Sequence, residues 1–410
     1  MLLSAKSNKL QNKKESALSQ AARVFKQRVL PNKWFQAACI AALVFIIYFV
    51  TSERSTAFDQ YVRLADAFLH GRLYLVDAPS WLELARYGDK AFVIDPPAPA
   101  LFLIPWVAIW GLNTNQVIVS IILGAVATGF FWVAATQIGW SFRFRISMTV
   151  LVAFGTNFWW AATDGSLWTL ANVSAVFFLM AALVETTGKN RPLLVGLLVG
   201  LAGLSRLPVF LTFPFFAYAV TRTKSADIRW SFIIRRLAFF GLALGVMGAI
   251  YLVYNYGRFG TISDMGYYAS GYSSEPWFSK GRFDISYIPR HINAILFQGP
   301  VFSDEFPFFK PSSAGLGLFF TTPALLYIFR SNLKDRLVLA AVVGTLTAAA
   351  IWVLHGTTGW SQFGYRYSLD ALPLLIIMAA SGMNYRLDRF KVAIIVLCCC
   401  INLWGVLTYP

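Results

Sequence analysis

Charge is scarce in this chain of 410 residues. Asp, Glu, Lys and Arg make up 13% of it against 57% hydrophobic residues, too little to solvate a water-soluble domain of this length. Acid is scarcer than base, 19 residues against 35. The four cysteines, Cys39 and Cys398 to Cys400, all fall in apolar runs and offer neither a disulfide framework nor a metal spacing. The three histidines, at 70, 291 and 355, form no H-x-x-H or H-E-x-x-H pattern, which argues against a zinc site. A GxxxxGK[ST] phosphate loop, a GxSxG elbow and a dinucleotide fingerprint are all missing, so soluble nucleotide chemistry is disfavoured. The lack of an internal repeat weighs against the inverted-repeat transporters.

What fills the chain instead is a succession of apolar runs of bilayer-crossing length joined by short polar connectors. The expected fold class is therefore all-α, a polytopic helical membrane protein. Expected spans run over 34–50, 115–138, 146–162, 168–185, 192–204, 207–221, 237–256, 312–329, 336–354, 368–384 and 391–408, about eleven crossings. The Pro-rich run 97–111 is short for a span and reads as a juxtamembrane helix. Base is sorted by side. One set of connectors, with the N-terminal segment, holds 23 Lys and Arg against 5 Asp and Glu, a balance of +18; the opposite set balances at −2. The positive-inside rule then makes the N-terminus cytoplasmic, and anionic lipid explains the basic face better than nucleic acid does. The first apolar run follows a long basic leader and reads as a span, not a cleaved signal. The organisation is a basic cytoplasmic segment 1–33 followed by one transmembrane domain, 34–410, with external loops 51–114, 257–311 and 355–367.

The remaining charge collects on the external face. In the first loop, residues 57–71 read as a helix stopped by Gly71. Asp59, Arg63, Asp66 and His70 fall on one stripe of it beside an apolar strip of Phe58, Val62, Ala65 and Leu69, so the helix would lie at the interface. The same stripe reads equally as helix-surface ion pairs. Asp95-Pro96-Pro97 reads as a helix start with Asp95 at the N-cap. At the same level come Asp164, opening a span, and Arg206 at a tight turn between two short spans. The stretch His355 to Tyr367, with Tyr365 and Arg366, offers aromatics for stacking and an arginine able to clasp phosphate. Loop 257–311 carries Asp264, Arg282, His291 and many aromatics and reads as a cover over an external cavity.

The order of these features resembles the polyprenyl-phosphate-sugar-dependent glycosyltransferases of the GT-C superfamily, which include the protein O-mannosyltransferases and the lipid A aminoarabinose transferases. The matching elements are Phe58-Asp59-Gln60-Tyr61 with Gly71-Arg72, Asp95-Pro96-Pro97, the basic turn at Arg143 and Arg145, Asp164, Gly203 to Pro208, and Arg366-Tyr367 ahead of Pro373. Two of them depart from the family pattern: Gln60 stands where a second acid is common, and Asp95 where His or Tyr is commonest. The resemblance implies transfer of a sugar from a polyprenyl phosphate to a glycan, lipid or protein acceptor, outside a bacterial inner membrane. Asp59 is then the expected general base, with Arg206 and Arg366 on the lipid phosphate and Asp95 or Asp66 on sugar hydroxyls. Arg63, Asp164, His355 and Tyr365 complete the expected substrate-binding set. No cofactor is implied with certainty, and a divalent cation is left open. A lipid-linked glycan polymerase or ligase, and a lipid or solute transporter without chemistry, are the competing readings.

Overall fold

The computed structural model describes residues 32–223, 229–271, 274–304 and 308–409. Most of the basic N-terminal segment, together with Lys224, Asp227, Glu305 and Pro410, lies outside the described residues. The chain forms α1 (Lys33–Thr51), α2 (Gln60–Leu69), α3 (Ala98–Trp110), α4 (Gln116–Ile138), α5 (Phe142–Phe154), α6 (Phe158–Asp164) and α7 (Leu167–Thr187). It continues through α8 (Pro192–Gly203), α9 (Phe213–Thr221), α10 (Trp230–Phe259), α11 (Ile288–Leu296), α12 (Arg336–Leu354), α13 (Leu372–Gly382) and α14 (Arg389–Thr408). Among the described residues, six of these, α1, α4, α7, α10, α12 and α14, are long and apolar enough to cross a membrane.

Local chemistry sets their limits. Asn32, Asn115, Asp335 and Asp388 cap α1, α4, α12 and α14 by accepting a first-turn backbone N–H, which satisfies donors that no helical carbonyl can reach. Gly139 ends α4 in the left-handed region. Helices α4 and α7 are mostly buried inside the protein, whereas α1, α10, α12 and α14 leave most of their apolar surface uncovered. An apolar helix left uncovered is stable only in an apolar solvent, which a bilayer supplies.

Four expected spans are interrupted, and strand appears that was not expected. The runs 207–221 and 368–384 each open on 3-10 helix, over Leu207–Thr212 and Arg366–Ala371. The run 146–162 is two helices, α5 and α6, broken at Gly155-Thr156-Asn157. A Cβ at Gly155 would lie 2.8 Å from a Leu151 methyl and 3.1 Å from the Cys398 Cβ, so a larger residue here would have to displace both neighbours. The run 312–329 is not a continuous helix. Residues 312–317 are irregular, a single helical turn spans Leu318–Thr321, and Pro323–Arg330 is a 3-10 helix. Pro311, Gly315, Gly317 and Pro323 oppose a regular α-helix. Instead Leu316 exchanges backbone bonds with the 355–367 loop, its N–H donating to Phe363 O at 2.8 Å and its carbonyl accepting from Tyr365 N at 3.1 Å. The remaining difference is strand. An antiparallel pair, β1 (Leu84–Tyr87) with β2 (Lys90–Val93), lies inside the first loop, and a shorter one, β3 (Val301–Phe302) with β4 (Phe309–Lys310), inside the later loop.

Candidate functional site

Helix α2 brings the first loop into the body of the protein. Tyr61, Val62, Leu64 and Ala65 are fully buried, so α2 packs a wide apolar face against the rest of the protein. Its ionisable stripe is largely self-paired. Asp59 Oδ1 accepts from Arg63 Nε at 2.9 Å, and Asp66 lies 3.3 Å from Arg72 and 3.5 Å from His70. Asp59 is the residue before the first turn of α2, but its side chain makes no capping bond.

Asp95 is placed by the backbone around it. The cap position of α3 is Pro97, which offers no side-chain oxygen, so the Asp95 carboxylate is not spent on the helix end as expected from the sequence. The Ala98 N–H donates to Leu204 O at 3.0 Å, fastening the start of α3 to the turn after α8. Arg258 of α10, buried against Tyr254 and Phe259, donates to Val93 O at 2.6 Å. These two ties hold Asp95 opposite Arg206.

A cavity of about 330 Å³ opens between them. Asp95 and Pro96 come from the first loop, Arg206 and Pro208 from the α8 turn, Asp264, Tyr267 and Arg282 from the later loop, and His355 and Tyr367 from the loop after α12. Leu207, Leu211 and Ile351 give it an apolar wall. Burial pushes the Asp95 carboxyl up, against the nearby guanidinium groups of Arg206 and Arg366, which hold it down. Arg206 is aimed from behind. Asp370, fully buried, accepts from its Nε at 2.9 Å and its Nη2 at 3.1 Å, and from Trp352 Nε1 at 3.0 Å. One amide terminus of Asn172 lies 3.3 Å from both Asp370 Oδ1 and Arg206 Nε. Arg282 is held likewise by Asp264 at 3.0 Å and lies over the Tyr267 ring.

Arg366 differs from these two. It is 7% exposed, and among the described residues its Nε and Nη1 have no hydrogen-bond partner. Its guanidinium stands 5.9 Å from the Tyr367 ring and 5.8 Å from the Trp168 ring. A buried guanidinium with unpaired N–H groups is costly unless an anion completes it.

Tyr365 does not line the cavity. It is buried behind it, its hydroxyl 2.9 Å from His291 Nδ1, while His291 Nε2 lies 2.9 Å from the His355 carbonyl. A carbonyl only accepts, so Nε2 carries the proton and Nδ1 accepts from the tyrosine. Burial pushes His291 down to about 4 and His355 down to about 3. The His355 ring sits among Phe278, Phe283, Tyr267 and Tyr367. A histidine whose folded-state pKa is depressed stabilises the fold above its unfolded value, and that stability is lost as pH falls. Thermal stability of the purified protein is therefore expected to drop between about pH 6.5 and 4, with a shallower slope in His291→Gln, as read by melting curves across that range.

Asp164 lies elsewhere. It ends α6, and its Oδ2 accepts from Ser166 N at 3.0 Å and from Thr169 Oγ1 at 2.5 Å. It lines a second cavity, of about 410 Å³, with Phe58, Trp160, Trp168 and Tyr409. Of the residues singled out in the sequence, the first cavity thus gathers Asp95, Arg206 and His355 with Arg366 close by, the second holds Asp164, and Asp59, Arg63 and Asp66 line neither. Asp370 was missed. Its signal was an acid three residues beyond Tyr367 at the mouth of an apolar span, where a charge needs a reason. Among the described residues, no three His, Cys, Asp or Glu side chains come together as a metal-holding group.

No protein-family model and no curated protein matches the chain. Among solved structures it resembles ArnT from Cupriavidus metallidurans bound to undecaprenyl phosphate, at a TM-score of 0.54 and 14% identity over 88% of this chain. The fold is GT-C-like. The chain spans 62% of the length of that ArnT structure. With its apolar helices, the GT-C-like architecture makes this a multi-pass integral membrane protein.

Proposed function

We propose that the protein is a membrane glycosyltransferase that moves a sugar from a polyprenyl phosphate to an acceptor at the external face of a bacterial inner membrane. The observation that carries this reading is the first cavity. Two guanidinium groups, Arg206 and Arg282, each held by a buried or half-buried carboxylate, line it beside an apolar wall, and Arg366 stands close by with Nε and Nη1 unpartnered among the described residues. A phosphate on an isoprenoid chain combines the two properties such a site requires: an anion for the arginines and hydrocarbon for the wall. The undecaprenyl phosphate bound to ArnT supports the same donor class.

Transfer with inversion needs cations on the departing phosphate and a base on the opposite side of the anomeric carbon. The acceptor oxygen bonds to that carbon as its bond to the phosphate oxygen breaks. The electron pair leaves with the polyprenyl phosphate, and the acceptor proton passes to the base. Asp95 shares its cavity with the arginines, so we assign it to hydroxyls of the donor sugar. Asp59 lines neither cavity, but its neighbour Phe58 lines the second, away from the arginines of the first, and Asp59 is our candidate base. Arg63 keeps Asp59 in place, while Asp66 is tied to Arg72 and His70.

The test is consumption and binding of polyprenyl phosphate by the purified protein in nanodiscs. Wild type is expected to release free polyprenyl phosphate from one member of a panel of polyprenyl-phosphate sugars. Arg366→Ala is expected to weaken binding of polyprenyl phosphate by about 10- to 100-fold, the range for a lost hydrogen bond to a charged group. Movement of the intact donor across the bilayer with no release would replace this reading by transport.

A further inference from the structure

We infer that the second cavity binds the acceptor, and that it takes the acceptor as a sugar ring. The inference rests on the proposed transfer reaction and adds to it the substrate class on the receiving side.

The two cavities differ in chemistry. The first has charge set against an apolar wall, as a lipid phosphate requires. The second is about 410 Å³ and presents short hydroxyl side chains, among them Ser52, Thr56 and Thr163, with the carboxylates Glu53 and Asp164. Trp160, Trp168 and Tyr409 supply flat apolar faces in the same wall. Pyranose rings demand this combination: equatorial hydroxyls hydrogen-bond in the plane of the ring, and the C–H faces pack on aromatic rings. A hydrocarbon tail would offer no donor to the Asp164 carboxylate.

Its aromatic wall is held in position. Trp160 Nε1 donates to Tyr409 O at 3.2 Å, and Trp168 packs against Phe58 with ring centroids 4.9 Å apart. Asp164 uses only Oδ2 for its two internal bonds, and among the described residues no hydrogen bond engages Oδ1. The carboxylate can therefore accept from a sugar hydroxyl without releasing α7.

Arg366 lines neither cavity but lies near an aromatic ring of each. Its guanidinium lies 5.8 Å from the ring of Trp168, which lines the second, and 5.9 Å from the ring of Tyr367, which lines the first. Its buried Nε and Nη1, unpartnered among the described residues, therefore stand between a ring of the first cavity and a ring of the second. A phosphate bound there would present its anomeric carbon toward the second cavity, where the attacking hydroxyl must arrive from the side opposite the leaving oxygen. An arginine with unpartnered N–H groups near both cavities suits transfer from a donor phosphate to a saccharide.

The experiment is saturation-transfer NMR on the full chain in nanodiscs, free of sugar-headed detergents, which would compete for the site. The probes are maltose, cellobiose, mannobiose and N,N′-diacetylchitobiose, with a Ser/Thr-containing peptide alongside. Binding of polyprenyl phosphate is measured on the same samples. At least one disaccharide is expected to bind wild type, and Asp164→Asn is expected to weaken it about tenfold, as for loss of one charge-assisted hydrogen bond. Asn retains an oxygen for Ser166 and Thr169, so this variant keeps the α6–α7 junction. Ser55→Trp, a bulky group on the exposed rim of the cavity, is expected to abolish disaccharide binding. Both variants are expected to bind polyprenyl phosphate as wild type does. The inference is overturned if no disaccharide binds, if binding is indifferent to both variants, or if the peptide alone binds in a manner sensitive to them. Disaccharide binding lost in both variants, without arginine-dependent binding of polyprenyl phosphate, would sustain the saccharide site and remove the proposed donor.

Discussion

Asp59→Asn is expected to slow sugar transfer by about 10²- to 10⁴-fold, the usual contribution of a positioned general base, with binding of polyprenyl phosphate unchanged. The substitution removes a proton acceptor while keeping the shape of the side chain. Its structural cost is small, because the Arg63 pair it disturbs is an i,i+4 pair on a helix, worth a few tenths of a kcal/mol. Asp95→Asn is the comparison. Asp95 stands among the arginines of the first cavity, so its loss is expected to raise the KM for donor more than it lowers kcat. The two variants separate by which constant moves. If Asp95→Asn carries the loss in kcat and Asp59→Asn leaves transfer intact, the base is Asp95 and the assignment of the two acids is reversed.

Asp370→Ala has the largest expected effect on stability. Asp370 is fully buried and receives two bonds from Arg206 and one from Trp352. Removing it leaves the Arg206 guanidinium, itself 12% exposed, without its counter-charge, and breaking a buried pair from one side costs about 3–5 kcal/mol. The protein is expected to melt well below wild type in the same nanodiscs. The double variant Arg206→Met with Asp370→Leu removes both charges together and is expected to recover most of the stability, since apolar groups of similar volume replace buried pairs at little cost. It is not expected to recover transfer, because Arg206 is gone from the cavity. Equal instability of the single and double variants would show that Asp370 contributes through shape and not through the charge of Arg206.

Read forward, the sequence was informative where the physics is local or additive. Hydropathy marked the long helices, because a span needs only length and apolar composition; α1, α4, α7, α10, α12 and α14 each fall on an expected run. Gly71, with φ at +66°, stops α2 where the pattern put its end. It was less informative where regular structure is interrupted. The break between α5 and α6, the irregular segment 312–317 and the hairpin of β1 with β2 depend on which distant backbone approaches, and no window of sequence contains that.

What the sequence by itself determined is the class of molecule and the set of residues worth attention. Scarce charge, long apolar runs and the clustering of Asp, Arg and aromatics in a few connectors follow from composition and order alone. Only the tertiary structure decided how those residues are grouped. It freed Asp95 from helix capping by placing Pro97 at the cap, turned the stripe on α2 into self-contained ion pairs, and set Asp370 behind Arg206 across 164 residues of chain. It also left Arg366 buried near both cavities, its Nε and Nη1 without a hydrogen-bond partner among the described residues. Pairing between distant charges is settled by packing geometry, where a shift of an ångström or two separates a buried ion pair from an unfilled anion site. Helix periodicity carries no information at that range.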